Sequence, residues 1–205
     1  AAVEGALARA TIKQLNNKTN CQYDDLDTEL DKEETVMKLK LAPEQRNAVK
    51  TALTNGLAII TGGPGTGKSL IQRAILDIYK KKYPGKTICL CAPTGKAARR
   101  MCQATGREAS TVHKALGLFA SEDGSYGSAN TLDADLILVD EVSMLDVYLA
   151  LHLFGAIKEG AQLILIGDSD QLPSVGPGAV LSEMISSGIV PCVRLDRVFR
   201  QNAGS

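Results

Sequence analysis

One stretch restricts what this chain can fold into more than any other. It lies between a short apolar run, residues 57–61, and a segment with apolar residues at positions 70, 71, 74, 75 and 78, and it reads Gly62-Gly63-Pro64-Gly65-Thr66-Gly67-Lys68-Ser69. The apolar spacing that follows is typical of a helix with one buried face. The glycines therefore lie between a predicted strand and the N-terminus of a predicted helix, where phosphate-binding loops occur.

The chemistry of this loop suits a nucleoside triphosphate bound with Mg²⁺. Glycine lets successive backbone N–H groups point inward, and the helix dipole adds positive potential at the same place. We predict that Lys68 reaches the β- and γ-phosphates and that the Ser69 hydroxyl is a ligand of Mg²⁺. The alternative is a glycine-rich turn without a ligand, which the complete GxxxxGK[ST] spacing and the flanking elements disfavour.

Two further segments place polar residues directly after apolar runs. The run 135–139 ends in Asp140-Glu141, and the run 161–166 precedes Gly167-Asp168-Ser169-Asp170-Gln171-Leu172-Pro173. Residues at the carboxyl ends of parallel strands face the ligand crevice. We predict that Asp140 holds Mg²⁺ through water, that Glu141 orients or deprotonates the attacking water, and that Gln171 hydrogen-bonds the γ-phosphate or its water. Taken alone, either segment also fits an exposed turn without function.

The rest of the chain alternates between short apolar runs and segments with helical periodicity. The predicted strands are 57–61, 86–91, 135–139, 161–166 and 190–195, and the predicted helices are 1–20, a second helix to about residue 39, 43–53, 67–82, 94–104, 144–158 and 177–187. Continuous apolar strands separated by helices predict an α/β fold with a parallel five-stranded sheet covered on both faces. Strand 161–166 is expected between strands 57–61 and 135–139, because Gln171 has to reach the γ-phosphate.

Composition excludes several classes of protein. The chain is 44% hydrophobic and 22% charged, with zero formal net charge. No apolar run approaches the roughly 18 residues that span a bilayer, and the N-terminal segment does not resemble a signal peptide. The five cysteines are an odd number and include no CxxC pair. We expect reduced thiols in a cytoplasmic protein with no membrane partner.

Charge is distributed unevenly along the chain. Residues 72–114 carry ten Lys or Arg against two acidic residues, whereas residues 121–170 carry ten acidic residues against one lysine. Two solvated faces of opposite sign would give this pattern. An edge that meets DNA, together with a second region that holds Mg²⁺ ligands, would give it equally well.

Seven short motifs occur in one order. They are Gln45, GGPGTGKS, the segment Ala92-Pro93-Thr94-Gly95-Lys96-Ala97-Ala98-Arg99-Arg100, the segment Ser110-Thr111-Val112-His113-Lys114, VDEVSM, GDSDQLP, and Val198-Phe199-Arg200-Gln201. Together they resemble the first RecA-like motor domain of a superfamily 1 DNA helicase of the RecD-like branch, over about residues 41–201. The resemblance implies a P-loop NTPase fold and ATP-dependent DNA unwinding with 5′→3′ polarity, in recombination or repair.

The resemblance also implies roles for individual residues. Gln45 matches the glutamine that reads the adenine edge, and Arg200 matches the arginine that reaches the γ-phosphate between two motor domains. The positions that match single-stranded-DNA contacts are Pro93, Thr94, Gly95, Lys96, Thr111 and His113. For His113 alone a capping or core histidine is the better interpretation, and Arg200 alone is also compatible with a surface arginine.

The expected organisation is a helical connector or appendage over 1–40 and an ATP-binding motor domain over 41–205, with a small hairpin insertion at about 118–131. The sequence stops soon after Arg200, whereas helicases of this kind use a second RecA-like domain. We therefore expect a monomeric motor half that binds nucleotide but is poor at, or incapable of, both ATP hydrolysis and DNA unwinding. Its binding to single-stranded DNA should be weak and should decrease as the salt concentration rises.

Two alternatives stay open at this point. The first is a different P-loop NTPase, such as a small-molecule kinase, which would need a lid or an insert that binds its substrate. The second is a non-catalytic interaction module in which bound nucleotide only stabilises the fold. Nucleotide-dependent stabilisation without turnover would favour this second alternative.

Overall fold

The computed structural model describes residues 2–119, 121–123, 125, 127, 130–171 and 179–199. Its centre is a parallel sheet of six strands in the order β3-β2-β4-β5-β1-β6. The strands are β1 Leu57–Gly62, β2 Ile88–Ala92, β3 Ser110–Thr111, β4 Leu136–Val139, β5 Gln162–Gly167 and β6 Cys192–Leu195. The α/β fold class and the position of β5 between β1 and β4 are as the sequence predicts.

The predicted number of five strands is wrong by one. All five predicted strands form, and the additional strand is β3, which pairs with the end of β2 through Cys91↔Ser110 and Ala92↔Thr111. Ser110 and Thr111, the two residues of β3, are polar, so they do not form an apolar run of the kind that predicts a strand. They become a strand because the edge of β2 offers unpaired backbone N–H and C=O groups that must be satisfied.

The helices are α1 Ala2–Leu15, α2 Leu26–Met37, α3 Pro43–Thr54, α4 Lys68–Lys82, α5 Gly95–Thr105, α6 Val112–Leu116, α7 Val147–Ala156 and α8 Val180–Ser186, with a 3₁₀ turn at Val142–Met144. Helix α6 was not predicted. Helix α7 begins at Val147 rather than at residue 144, because the Asp146 carboxylate accepts a hydrogen bond from Leu149 N at 2.8 Å and caps the helix there.

Both faces of the sheet are covered, as the apolar strands predict. Ile59 and Ile60 are neighbours in β1, are both fully buried, and belong to two different core clusters. One cluster is completed by side chains from α1, α6, α7 and α8, and the other by side chains from α2, α3, α4 and α5. A strand buried on both sides can be apolar at every position, which explains why these runs do not alternate.

Helices α1 and α2, within residues 2–40, pack on the sheet domain. Leu7 of α1 lies in the core beside α7, and the Gln14 side-chain amide donates to the carbonyl oxygens of Gly56 and Ala161 at 2.8 and 2.9 Å. On the other face Leu30 of α2 is fully buried, and Arg46 of α3 pairs with three acids of α2, namely Asp27, Asp31 and Glu34. A domain boundary at residue 40 stays a prediction.

The hairpin insertion at about 118–131 also stays a prediction. The described residues of that range include no strand, and residues 120, 124, 126, 128 and 129 lie outside the described part of the chain. Within the described residues, no helix has the length and hydrophobicity needed to cross a bilayer. All five cysteines are free thiols.

Replacement of Leu30 by alanine tests whether α2 contributes to the stability of the domain. The side chain is fully buried, so Leu30→Ala should lower the free energy of unfolding by about 2–5 kcal/mol, measured by urea denaturation. Val36→Ala is the control, because Val36 lies on the same helix but is 69% exposed, and it should change stability by less than about 0.5 kcal/mol. Equal small effects would show that α2 is dispensable for the fold.

Candidate functional site

Three neighbouring strands end at one edge of the sheet, where they form a cleft. β1 leads into the glycine-rich loop, β4 into Asp140-Glu141, and β5 into Asp168. The cleft has a volume of about 230 Å³ and is lined by Pro64, Lys68, Ser69, Gln72, Arg100, Met101, Ala104, Asp140, Glu141, Gly167, Asp168 and Gln171. Five residues with predicted phosphate, Mg²⁺ or catalytic roles, Lys68, Ser69, Asp140, Glu141 and Gln171, are thus in one place.

The glycine-rich loop has a backbone that few residues other than glycine adopt. Gly65 and Gly67 have φ angles of 78° and 87°, in the left-handed region. A Cβ atom on Gly62 would lie 2.7 Å from Thr66 Oγ1. Thr66 Oγ1 donates to the Gly63 carbonyl at 2.7 Å, and Lys68 Nζ donates to the Gly62 carbonyl at 2.5 Å. The loop therefore curls tightly in front of the N-terminus of α4, with its lysine folded over it.

Gln45 of α3 contacts the backbone of the glycine-rich loop. Its side chain is buried; Oε1 accepts a hydrogen bond from Ala42 N at 2.8 Å and Nε2 donates to the Thr66 carbonyl at 3.1 Å. A primary amide offers two donors and two acceptor positions, so the described residues leave one N–H and one lone pair of Gln45 for another partner. The predicted contact with an adenine edge would therefore use this second N–H and this second lone pair of the Gln45 amide.

The acidic pair after β4 is held by one hydrogen bond within the pair and by the side chains of two other residues. Asp140 Oδ1 accepts from Glu141 N at 2.7 Å, and Asp140 Oδ2 accepts from Gln72 Nε2 at 3.0 Å. Glu141 Oε1 lies 3.3 Å from the Arg100 guanidinium. Glu141 itself has a left-handed backbone, with φ 52° and ψ 43°.

Gln72 is a site residue that the sequence analysis did not identify. It lies one helical turn after Lys68, so both side chains project from the same side of α4. The side chain is 1% exposed, and its Oε1 is buried with no hydrogen-bond partner among the described residues. The spacing from Lys68 was the only available signal, and a glutamine at a buried helical position does not by itself indicate a partner 68 positions later.

The loop after β5 is fastened to β1. Thr61 Oγ1 donates to Ser169 Oγ and accepts from Ser169 N, both at 3.1 Å. Farther along the loop, Gln171 Oε1 accepts from Ser143 Oγ at 3.3 Å. These contacts place Gln171 at the cleft, whereas Leu172 and Pro173 of the same motif lie outside the described residues.

The predicted DNA-contacting segments lie side by side next to the cleft. Pro93 and Thr94 connect β2 to α5, which begins with Gly95 and Lys96, whereas Thr111 is the last residue of β3 and His113 lies in α6. The pairing Ala92↔Thr111 brings the two segments together. Each threonine caps its helix: Thr94 accepts from Ala97 N at 3.2 Å, and Thr111 accepts from Lys114 N at 3.1 Å. Among the described residues, neither hydroxyl hydrogen has an acceptor.

The segment that leads to Arg200 runs along the glycine-rich loop, although Arg200 itself lies outside the described residues. The Glu44 carboxylate accepts from Asp196 N at 3.4 Å and from Arg197 N at 3.3 Å. Phe199 N then donates to the Gly65 carbonyl at 2.8 Å. The chain after β6 is therefore anchored to both α3 and the loop.

The residues of the cleft fit a nucleoside triphosphate with Mg²⁺. The loop leaves no room for a Cβ at Gly62 and brings backbone N–H groups to a helix N-terminus, an arrangement that binds phosphate. Lys68 brings a cation to the cleft, and Ser69 and Asp140 bring oxygen atoms, the type of ligand that Mg²⁺ prefers. Mg²⁺ in proteins usually keeps several waters and takes phosphate oxygens as ligands, so the predicted direct contact with Ser69 and water-mediated contact with Asp140 are sufficient.

A parallel sheet with a GxxxxGKS loop after one strand and an acidic pair after a nearby strand defines a P-loop NTPase fold. A family model described as an AAA domain matches residues 45–177, more than half of the chain. The chain therefore belongs to the AAA domain family.

Similar proteins agree with this assignment. The ATP-dependent RecD2 DNA helicase of Deinococcus radiodurans is 41% identical over 163 residues, which cover 80% of this chain and 22% of the relative. The RecBCD enzyme subunit RecD of Mycobacterium tuberculosis strain H37Rv is 38% identical, covering 69% of this chain and 28% of the relative. The Candida albicans Pif1 helicase crystal structure has a TM-score of 0.56 and 26% identity, covering 81% of this chain and 42% of that one. These similarities identify the chain as a RecD-like motor domain of superfamily 1. The chain spans about a quarter of the length of these two curated relatives.

Replacement of Gly67 by alanine tests the conformation of the loop. A Cβ at φ 87° is strained and would overlap Gln45 Nε2, so Gly67→Ala should destabilise the protein by about 1–3 kcal/mol and abolish the thermal shift caused by ATP. Gly85→Ala is the control, because a Cβ there meets nothing within 4 Å. A Gly67→Ala protein with unchanged stability and ATP response would contradict this description of the loop.

Replacement of Gln72 by leucine tests its support of Asp140. Leucine has a similar size; it lacks the donor to Asp140, and it also lacks the buried Oε1 that has no partner among the described residues. These two effects on the unfolding free energy oppose each other, so stability should change little while Mg²⁺-dependent ATP affinity falls about tenfold. The measurement is calorimetric titration with ATP in Mg²⁺ and in EDTA. Gln103→Leu, an exposed amide on α5, is the control. Equal losses with and without Mg²⁺ would show that Gln72 does not act through the metal ligand.

Proposed function

We propose that this chain is the ATP- and Mg²⁺-binding half of a DNA-dependent ATPase that drives a 5′→3′ DNA helicase in recombination or repair. The observation that carries the proposal is the cleft in which Lys68, Asp140, Glu141 and Gln171 meet at the ends of three adjacent strands. Two relatives are named as a RecD2 DNA helicase and a RecBCD enzyme subunit, and these names support the proposal that DNA is the substrate.

Each residue has a defined task in this proposal. The loop N–H groups and Lys68 bind the phosphates, and Ser69 and Asp140 would hold Mg²⁺, which would supply positive charge against the charge of the phosphates. Glu141 accepts a proton from the water that attacks the γ-phosphate, and Gln171 orients that water. The products are ADP and inorganic phosphate. Gln72 and Gln45 keep Asp140 and the loop in position.

Single-stranded DNA is the proposed partner of the edge formed by β2 and β3. Lys96 is exposed at the start of α5, and the backbone N–H groups and threonine hydroxyls beside it suit phosphate oxygens. The excess of Lys and Arg over residues 72–114 lies in the same part of the chain. Contacts of this kind carry no sequence information and weaken with salt, so we expect binding without sequence preference.

Unwinding needs a second motor domain in this proposal. Translocation requires two domains that close and open around ATP, and Arg200 is the residue proposed to reach the γ-phosphate at their boundary. A single domain supplies one grip on the strand and cannot step along it. The relatives are three to five times longer than the part of them that matches this chain, which leaves room for such a domain.

ATP turnover with and without a single-stranded oligonucleotide tests the proposal. A protein that contains this chain and a second motor domain should hydrolyse ATP faster with DNA, and Lys68→Ala should reduce turnover to background because the phosphates lose their cation. Lys82→Ala, an exposed lysine at the far end of α4, should leave the rate unchanged. Unchanged turnover in Lys68→Ala would overturn the site. ATP-dependent stabilisation without turnover in the longer protein would favour a non-catalytic module.

A further inference from the structure

The proposed catalytic carboxylate of Glu141 is in contact with a cation from another helix. Arg100 Nη1 lies 3.3 Å from Glu141 Oε1, and the geometry is that of a hydrogen-bonded ion pair. Arg100 belongs to α5, which follows β2, and the two residues are 41 positions apart in the chain. The contact occupies one oxygen of the group that has to face the attacking water.

The backbone of Glu141 is fixed by two hydrogen bonds. Its φ of 52° is in the left-handed region, which a residue other than glycine adopts at a cost. Its N–H donates to Asp140 Oδ1 at 2.7 Å, and its carbonyl accepts from Met144 N at 3.1 Å. The position of the carboxylate therefore depends on side-chain rotation, and Arg100 is the described residue that restrains this rotation.

Arg100 also belongs to the surface proposed to bind DNA. It lies four residues after Lys96 on α5, so the two side chains project from the same face of the helix, one turn apart. The Arg100 side chain is 60% exposed, whereas that of Glu141 is 29% exposed. Arg100 lines the nucleotide cleft as well. Its guanidinium therefore stands between the proposed DNA face and the proposed ATP site.

A DNA phosphate can compete for this arginine. An exposed ion pair between two side chains is weak, because solvent screens it and because both chains lose freedom. A guanidinium binds a phosphate through two parallel N–H···O bonds, and such bidentate pairs are among the stronger polar contacts of proteins. A backbone phosphate brought to Lys96 would be within one helical turn of Arg100.

We propose that Arg100 is a positioning residue that couples DNA binding to ATP hydrolysis. Without DNA it holds the Glu141 carboxylate against α5. When single-stranded DNA binds along the start of α5, a DNA phosphate binds the Arg100 guanidinium in place of Glu141. The Glu141 carboxylate is then free to rotate toward the attacking water. This inference rests on the proposed function, since it assumes that Glu141 activates water and that DNA binds at Lys96.

Replacement of Arg100 by alanine in the two-domain protein tests the coupling. Because the ion pair is weak, DNA-free turnover should rise about two- to fivefold, with KM for ATP unchanged and with the rate at saturating DNA within about twofold of wild type. The ratio of the two rates should fall accordingly. Arg100→Lys keeps the charge and should restore most of the low DNA-free rate.

Arg99→Ala is the matched control, because it removes the same charge from the preceding, also exposed, position of α5. It should leave DNA-free turnover unchanged. Should Arg100→Ala melt at a lower temperature than wild type, Arg100→Gln provides a neutral side chain of similar length, and the same rise in DNA-free turnover is expected.

The outcomes separate this inference from the proposed function. A wild-type protein that hydrolyses no ATP, or hydrolyses it without response to DNA, would overturn the proposed function. A wild-type protein that DNA stimulates, combined with an Arg100→Ala rate that does not rise without DNA, would overturn the coupling alone. A fall of turnover both with and without DNA would show instead that Arg100 contacts the nucleotide, which also overturns the coupling.

Discussion

The parallel pairing of β4, β5 and β1 is the constraint on which the candidate site depends. Val139 pairs with Leu165 and Thr61 pairs with Gly167, so the three strands end close together at one edge. Loops that leave the carboxyl ends of neighbouring parallel strands share one crevice. The loop after β1 can turn into α4 within this space because glycines adopt the left-handed backbone at φ 78° and 87°.

Polar side chains between elements fix the loops at that edge relative to one another. Gln45 connects α3 to the glycine-rich loop, Gln72 connects α4 to the end of β4, and Thr61 connects β1 to the loop after β5. A buried polar group that loses its partner is costly, so each bond restricts the position of both elements. The order of the sheet adds a further link: β2 lies beside β4, so α5, which follows β2, passes close to Glu141.

Much of the fold could be predicted from the sequence because the signals are local. The central strands are buried on both faces, so runs such as 161–166 are apolar throughout, and the position of β5 followed from what Gln171 has to reach. Strand β3 could not be predicted, because its two polar residues pair only where β2 offers a free edge. The start of α7 was misplaced because the 3₁₀ turn at Val142–Met144 and the Asp146 cap intervene.

The sequence by itself determined the chemistry of the glycine-rich loop, the acidic pair and the alternation of strands and helices, because backbone conformation and periodicity depend on residues that are near neighbours in the chain. Only the tertiary structure decided which distant side chains meet. Gln72 contacts Asp140 across 68 positions, and Arg100 contacts Glu141 across 41. These contacts depend on strand order and helix packing, which bring together residues whose own sequence neighbours carry no sign of the partner.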